Sequence, residues 1–350
     1  MAMLLAAAWP GLCRAGNAAH EVPVAEAQRC IREHSLLADA FDLQALREAC
    51  AMHGAGGLRD FLKAADKYSS YTTPEELAFL KELGRNKPAG VGMDIFQDRQ
   101  QRVRCVPYPG SPAEKAGVAY GDILKGVDGE PVRGQPLAKI AAQIRGEEGS
   151  AVMFSLHAEG QPMRTVVAER KRGEYPSVVR TGDSPAVIRI LRFGPRTALD
   201  LRSCLVKLKK GQGCVIDLRG NTGGSMAAGM ECARLFLKKG DVVLHLKERS
   251  GARTVRAEKN GPWSANPLVL VQDQFTASAS ELFIASLSAA GRARSSGAQS
   301  AGKACVQNLF TLSDGSILKL TTEKMLYPHR EEDWEGTGIP SSSSSASAKE

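Results

Sequence analysis

From Pro176 onward, short apolar runs alternate with longer stretches whose apolar residues recur at helical spacing. Ala186-Val-Ile-Arg-Ile-Leu-Arg-Phe193 reads as a strand, Thr197 to Lys207 as an amphipathic helix and Gly213-Cys-Val-Ile-Asp-Leu218 as a buried strand. Ser225 to Leu237 forms the next helix, Pro267-Leu-Val-Leu-Val271 a further buried strand, and Leu282-Phe-Ile-Ala-Ser-Leu287 another helix. Such an alternation predicts an α/β core, in which ligands bind in loops at the carboxyl ends of strands. Two of those loops are unusual in composition.

The first is Arg219-Gly-Asn-Thr-Gly-Gly224. It has neither a Gly-Lys-Ser/Thr ending nor a Gly-x-Gly-x-x-Gly pattern, which argues against nucleotide binding. Asp217 and Arg219 are expected to pair beneath it. The second is Phe275-Thr-Ala-Ser-Ala-Ser-Glu281, which flanks Ser278 with small residues and lets a carbonyl approach its hydroxyl. Ser278 sits at a strand-to-helix turn, where backbone N–H groups are free to hold an anion. Lys303 follows 25 residues later in Gly302-Lys-Ala-Cys-Val-Gln307. A serine hydroxyl needs a base, and a lysine amine serves when an apolar site lowers its pKa. Gln307 is placed to orient that amine. Taken alone, the same residues also describe a helix-capping serine and a solvated lysine.

Upstream, residues 20 to 66 carry helical periodicity, broken by Gly54-Ala-Gly-Gly57. Thr73, Pro74 and Glu76 form a helix-start signature with Thr73 as N-cap. Ala89-Gly-Val-Gly-Met-Asp-Ile95 places a Gly-x-Gly loop before a strand, a nest able to hold a terminal carboxylate beside an edge able to accept an added strand. The candidate peptide-binding residues are Gly90, Val91, Gly92 and Met93. Gly110-Ser-Pro-Ala-Glu-Lys-Ala-Gly-Val-Ala-Tyr-Gly-Asp-Ile-Leu124 then gives a short capped helix and a strand, and Asp128-Gly129 signals a hairpin. Ile140 to Ile144 reads as a helix along a groove, and Ala151 to Leu156 as the closing strand. This module resembles a bacterial-type PDZ domain. Arg145 belongs either to its surface or to a contact with the α/β core.

The two loop motifs, with Asp66-Lys-Tyr-Ser-Ser-Tyr-Thr-Thr-Pro-Glu-Glu76 and Gly336-Thr-Gly-Ile-Pro340, resemble the carboxy-terminal processing (tail-specific) protease family of serine peptidases, over roughly residues 60 to 340. The resemblance implies a mixed α/β protease core of the crotonase/ClpP-like β-β-α type, an inserted PDZ domain and an N-terminal helical segment. It implies Ser278 as nucleophile, Lys303 as base and Gln307 as its support. Oxyanion N–H groups would come from Gly224, with Gly223 the weaker candidate, and from Ala279. Thr276 and Ala304 depart from the family's serine and glycine, and Ala304 would strain the loop if that position needs positive φ. The implied domains are a signal segment at 1–19, helices at 20–85, the PDZ domain at 86–170, the protease core at 171–340 and a Ser-rich disordered tail at 341–350. The implied partners are proteins or peptides with accessible C-termini, with homodimerisation or higher self-association through the N-terminal helices; no metal or organic cofactor is called for. Two other readings are a catalytically silent PDZ scaffold and a Ser-His-Asp hydrolase. The latter has only His329 after Ser278 to draw on.

The net charge of +8 is spread through patches such as Glu169-Arg-Lys-Arg172 and Lys207-Leu-Lys-Lys210, read as solvated surface rather than a nucleic-acid stripe. Eight cysteines include no CxxC pair. Cys214 and Cys232 read as buried thiols, while Cys30 and Cys50 lie on neighbouring helices and would pair in an oxidising compartment. The N-terminus has a short apolar run followed by small residues, and no stretch is long enough to span a bilayer. The expectation is an exported, periplasmic or otherwise extracytoplasmic protein.

Overall fold

The computed structural model describes residues 21–85, 89–98, 100–135, 137–209 and 211–342. The expected signal at 1–19 lies outside them, as does most of the tail expected at 341–350, but Ser341 is buried and Ser342 N–H donates to Ser295 O, so the first two residues of that tail are ordered. Among the described residues no helix is long and apolar enough to cross a membrane. The chain divides into two compact units, residues 1–173 with 306–323 and residues 174–305 with 324–350. The interval 306–323, placed with the protease core on sequence, packs with the N-terminal unit.

In that unit α1 (Val24–His34) and α2 (Leu43–Ala65) bury Ile31, Leu46, Leu58 and Leu62 completely. Gly54, in the glycine cluster expected to break α2, has φ 53° and kinks it. These side chains cluster with Tyr71 of β1 (Ser70–Thr72) and with Leu312, Leu318 and Leu320 from the late hairpin. β1 pairs antiparallel with that hairpin, Tyr71 opposite Leu318. The helices are too few to close a core alone, and the hairpin supplies the missing wall. α3 (Pro74–Arg85) begins with a reciprocal capping box between Thr73 and Glu76.

Cys30 and Cys50 do not form the disulfide considered above. Both are free thiols absorbed into this apolar cluster. Burial pushes the Cys30 thiol up to about 11 and raises Cys50 as well. Since the thiolate is the reactive form, both should be alkylated far more slowly in native than in denatured protein. Labelling with and without denaturant, followed by peptide mapping, checks this.

The PDZ-like part has strands β2 (Met93–Gln97), β3 (Val103–Pro107), β4 (Ile123–Val127), β5 (Glu130–Pro131), β6 (Ala151–His157) and β7 (Arg164–Glu169), with helices α4 (Pro112–Lys115) and α5 (Leu137–Ile144). The sheet order is β2-β3-β4-β6-β7, with β5 on β4, so β2 is an edge strand. Asp128 and Gly129 have φ of 50° and 84° and join β4 to β5 as a two-residue turn. Leu124, Ile140, Phe154 and Leu156 form the core, with Met93 and Ile95 packed against it. Arg170 corrects the reading of its patch as solvated. It is buried and donates to the carbonyls of Gln143, Ile144 and Ala151, tying the end of α5 to the sheet.

The second unit holds β8 (Val178–Asp183), β9 (Ala186–Ile190), α6 (Thr197–Leu205), β10 (Cys214–Asp217), α7 (Met226–Arg234), β11 (Val242–Glu248), β12 (Gly251–Arg256), β13 (Leu268–Gln272), α8 (Ala279–Ala289) and β14 (Arg294–Gly297). Its main sheet runs β14-β13-β10-β9-β8. β10 is parallel to both β9 and β13, β13 is parallel to β14, and β8 is antiparallel to β9. Every residue of α8 from Ala279 to Leu287 is buried, with Phe283 near Phe193 and Phe236. β15 (Cys305–Thr311) and β16 (Ile317–Leu326) form the late hairpin, and the boundary between the units runs through it.

Candidate active site

β10 and β13 are adjacent and parallel, so the two unusual loops leave the sheet side by side. Hydrogen bonds lock them together. Asp273 Oδ1 accepts from the N–H of Gly220, Phe275 and Thr276. The hydroxyl of buried Thr276 donates to Leu218 O at 3.0 Å. Its small hydroxyl thus anchors the base of the serine loop. Asn221, fully buried, is the central post. Its amide donates to Ile190 O, and its carbonyl accepts from Ala277 N–H and the Ser280 hydroxyl. Beneath them Arg219 holds Asp217 through two side-chain bonds of 2.9 and 2.8 Å, the pair expected from the sequence.

Ser278 sits at φ 58° and ψ −117°, at the N-cap of α8. That backbone region is costly for a residue with a Cβ, by about 1–3 kcal/mol. It is the sharp strand-to-helix turn that lifts a side chain out of the sheet. The glycine loop presses on it. A Cβ on Gly223 would stand 2.8 Å from Ser278 Cβ and 3.0 Å from Ala279 N, so only glycine fits. Gly223 N–H is taken by Asn221 Oδ1 at 2.9 Å. Phe193 bonds Gly223 O and Ser225 N–H on either side of Gly224. Among the described residues the N–H groups of Gly224 and Ala279 have no partner. Two unpaired donors therefore flank Ser278.

Lys303 enters through its backbone. Glu281, fully buried in the first turn of α8, accepts from Ser278 N–H at 2.7 Å and from Lys303 N–H at 2.9 Å on the same oxygen. Its other oxygen accepts from Gly302 N–H and the Ser300 hydroxyl, at 2.7 and 2.6 Å. Burial raises the Glu281 pKa, against the lowering effect of these bonds. On the far side Trp334 Nε1 donates to Lys303 O, Ala304 N–H to Glu335, and Met325 N–H to Ala304 O. Ala304 is buried without positive φ; the left-handed position is Gly302, at 84°. The strain anticipated at Ala304 is therefore absent.

Ser278, Ala279, Gly224 and Lys303 thus converge in one unit. Gln307 belongs to the other, where its amide donates to Thr321 Oγ1 at 3.4 Å. In the PDZ-like part the carbonyls of Gly90, Val91 and Gly92 accept from Lys171, Ala113 and Tyr108, and the N–H groups of Val91 and Gly92 have no partner among the described residues. Sequence reasoning passed over Asn221, Asp273 and Glu281. For Glu281 a signal was present, since Ser278-x-x-Glu281 has the capping-box spacing.

Residues 184–342 match the family model described as peptidase family S41, and residues 103–156 match the PDZ domain model. Residues 184–342 are thus similar to peptidase family S41. The C-terminal processing peptidase of the Tetradesmus obliquus chloroplast is 32% identical over 286 residues, covering 75% of this chain and 61% of that protein. A carboxyl-terminal-processing protease of a Picosynechococcus species is 33% identical over 274 residues, covering 75% and 66%. The chain thus spans less than two thirds of the length of either relative. The solved photosystem II D1 C-terminal processing protease is similar over 91% of both chains, at 28% identity and a TM-score of 0.76. The mixed α/β S41 fold with a PDZ domain, expected from the resemblance, is the fold of this chain.

Proposed function

We propose that this chain is a serine endopeptidase of the carboxy-terminal processing type. The observation that carries the reading is Ser278 in its strained turn, flanked by the unpaired N–H groups of Gly224 and Ala279. Ser278 Oγ passes its proton to the neutral Lys303 amine and attacks the peptide carbonyl carbon. The carbonyl oxygen becomes an oxyanion and accepts from Gly224 and Ala279, donors worth on the order of 3 kcal/mol each in the barrier. Lys303 then returns the proton to the leaving amine, and water hydrolyses the acyl-enzyme by the same route. Substrate tails add as a strand to β2, with the terminal carboxylate at the Val91 and Gly92 N–H groups; its edge position supports this.

The test is cleavage of an unstructured protein with an apolar C-terminus by wild type and by Ser278→Ala. Wild type should cut at the tail-proximal side, and the variant should bind the tail without cutting. Binding by both with cleavage by neither would replace the peptidase reading with the scaffold reading.

A further inference from the structure

We propose that Glu281 is a positioning residue whose ionised carboxylate holds nucleophile and base in register, so that its protonation uncouples them. This rests on the peptidase reading. Both backbone segments hang on one side chain. A single oxygen takes the N–H of Ser278 and of Lys303, and the other takes Gly302 N–H and the Ser300 hydroxyl. Three of those groups can only donate. The fourth is constrained to do so, because Ser300 Oγ already accepts from Ile339 N–H at 2.7 Å and has no other acceptor for its proton among the described residues. Only a carboxylate satisfies all of them. A carboxylic acid puts a proton on one oxygen and releases a partner.

The released partner matters because Ser278 is held at φ 58°. Its N–H bond to Glu281 offsets a conformation that an L-residue otherwise abandons. The charge is held by the four donors and by the N-terminal end of α8, where an anion is favoured. The titratable groups around it are Lys303 on the same loop, Tyr327 beyond β16, whose pKa Glu281 helps to raise, and Glu335, bonded to the neighbouring Ala304 N–H.

Burial raises the Glu281 pKa, so its protonation begins above the usual carboxylate range as pH falls. The signs for activity and stability are opposite. A raised folded pKa gives stability that is full below the unfolded value and is lost as pH rises through the folded value. Acid therefore strengthens Glu281's contribution to folding while it removes the tether that catalysis needs.

The experiment measures kcat and KM for wild type, Glu281→Gln and Ser300→Ala from neutrality downward. It also follows the backbone amide resonances of Ser278 and Lys303 over the same range. Glutamine keeps the shape but can accept on one atom only, so kcat should fall about 100-fold with KM little changed, as for a misplaced reacting group. Protonation of Lys303 sets an acid limb in every variant, and the second fall that Glu281 adds to it should vanish in Glu281→Gln. It should move to higher pH in Ser300→Ala, which removes one donor to the carboxylate. In wild type the two amides should titrate together, and in Glu281→Gln neither should. A Glu281→Gln enzyme with wild-type kcat and acid limb would overturn the proposal. So would amides that titrate independently in wild type, and that readout holds even if wild type cuts no better than Ser278→Ala.

Discussion

Lys303→Ala is expected to lower kcat about 10⁴- to 10⁶-fold, the scale on which losing one member of a nucleophile–base unit disables a serine hydrolase. The fold should not change. Lys303 is fixed through its backbone, by Glu281 at its N–H and Trp334 at its carbonyl, and Ala304 is fixed by Glu335 and Met325. Removing the side chain leaves those bonds in place, so the melting temperature and KM should stay near wild type. Lys303→Arg should be as inactive as the alanine variant, because a guanidinium does not lose its proton in a protein and cannot serve as a base. Steady-state kinetics on the unstructured substrate, with thermal melts of each variant, decide the matter. An arginine variant retaining more than a trace of activity would remove Lys303 from the base role and leave it as a local charge.

What could be read beforehand follows from how far each interaction reaches along the chain. The turn at Asp128-Gly129, the box at Thr73 and Glu76 and the kink at Gly54 are local, and local chemistry specifies them. The α/β core was legible because its central strands, β10 and β13, are near-continuous apolar runs. Ser278 and Lys303 were singled out because their motifs resemble those of the carboxy-terminal processing family, since taken alone they also describe a capping serine and a solvated lysine. The supports of the site were not. Asn221 and Asp273 tie together loops 53 positions apart, as in the Gly220–Asp273 bond, and nothing in either stretch announces its partner. Residues 306–323 look like core hairpin in isolation, yet their apolar face is completed by helices more than two hundred residues earlier. Arg170 reads as surface charge until its four-residue patch is seen against the end of α5. Cys30 and Cys50 fail as a pair because the apolar cluster that buries them as thiols is a tertiary feature.

Gly224→Ala is expected to lower kcat by about 10²- to 10³-fold, the cost of losing one oxyanion donor. The substitution is small and its geometry is severe. Gly224 has φ 135°, and a Cβ there would stand 2.1 Å from Phe193 O. Phe193 O already accepts from Ser225 N–H at 2.9 Å, so the clash falls on the bond that fixes the loop to β9's continuation. Either the loop rotates, turning Gly224 N–H away from the reacting carbonyl, or Phe193 gives way and loosens its packing on Phe283 of α8. Both routes reach the donor that stabilises the tetrahedral intermediate, while Lys303 and its backbone anchors are untouched. The fall should therefore appear in kcat and kcat/KM together, as for an interaction made only in the transition state. Tail binding by the PDZ-like part, measured separately by titration with a C-terminal peptide, should be unchanged. Gly223→Ala separates the two glycines. Its Cβ would meet Ser278 Cβ and Ala277 O at 2.8 Å each, displacing the nucleophile itself. That variant should also lose reaction with a serine-acylating inhibitor, which Gly224→Ala should only slow. If Gly224→Ala cuts at the wild-type rate, the oxyanion is held by Ala279 with some donor other than Gly224, and the unpaired N–H at Gly224 is a consequence of the turn rather than its purpose.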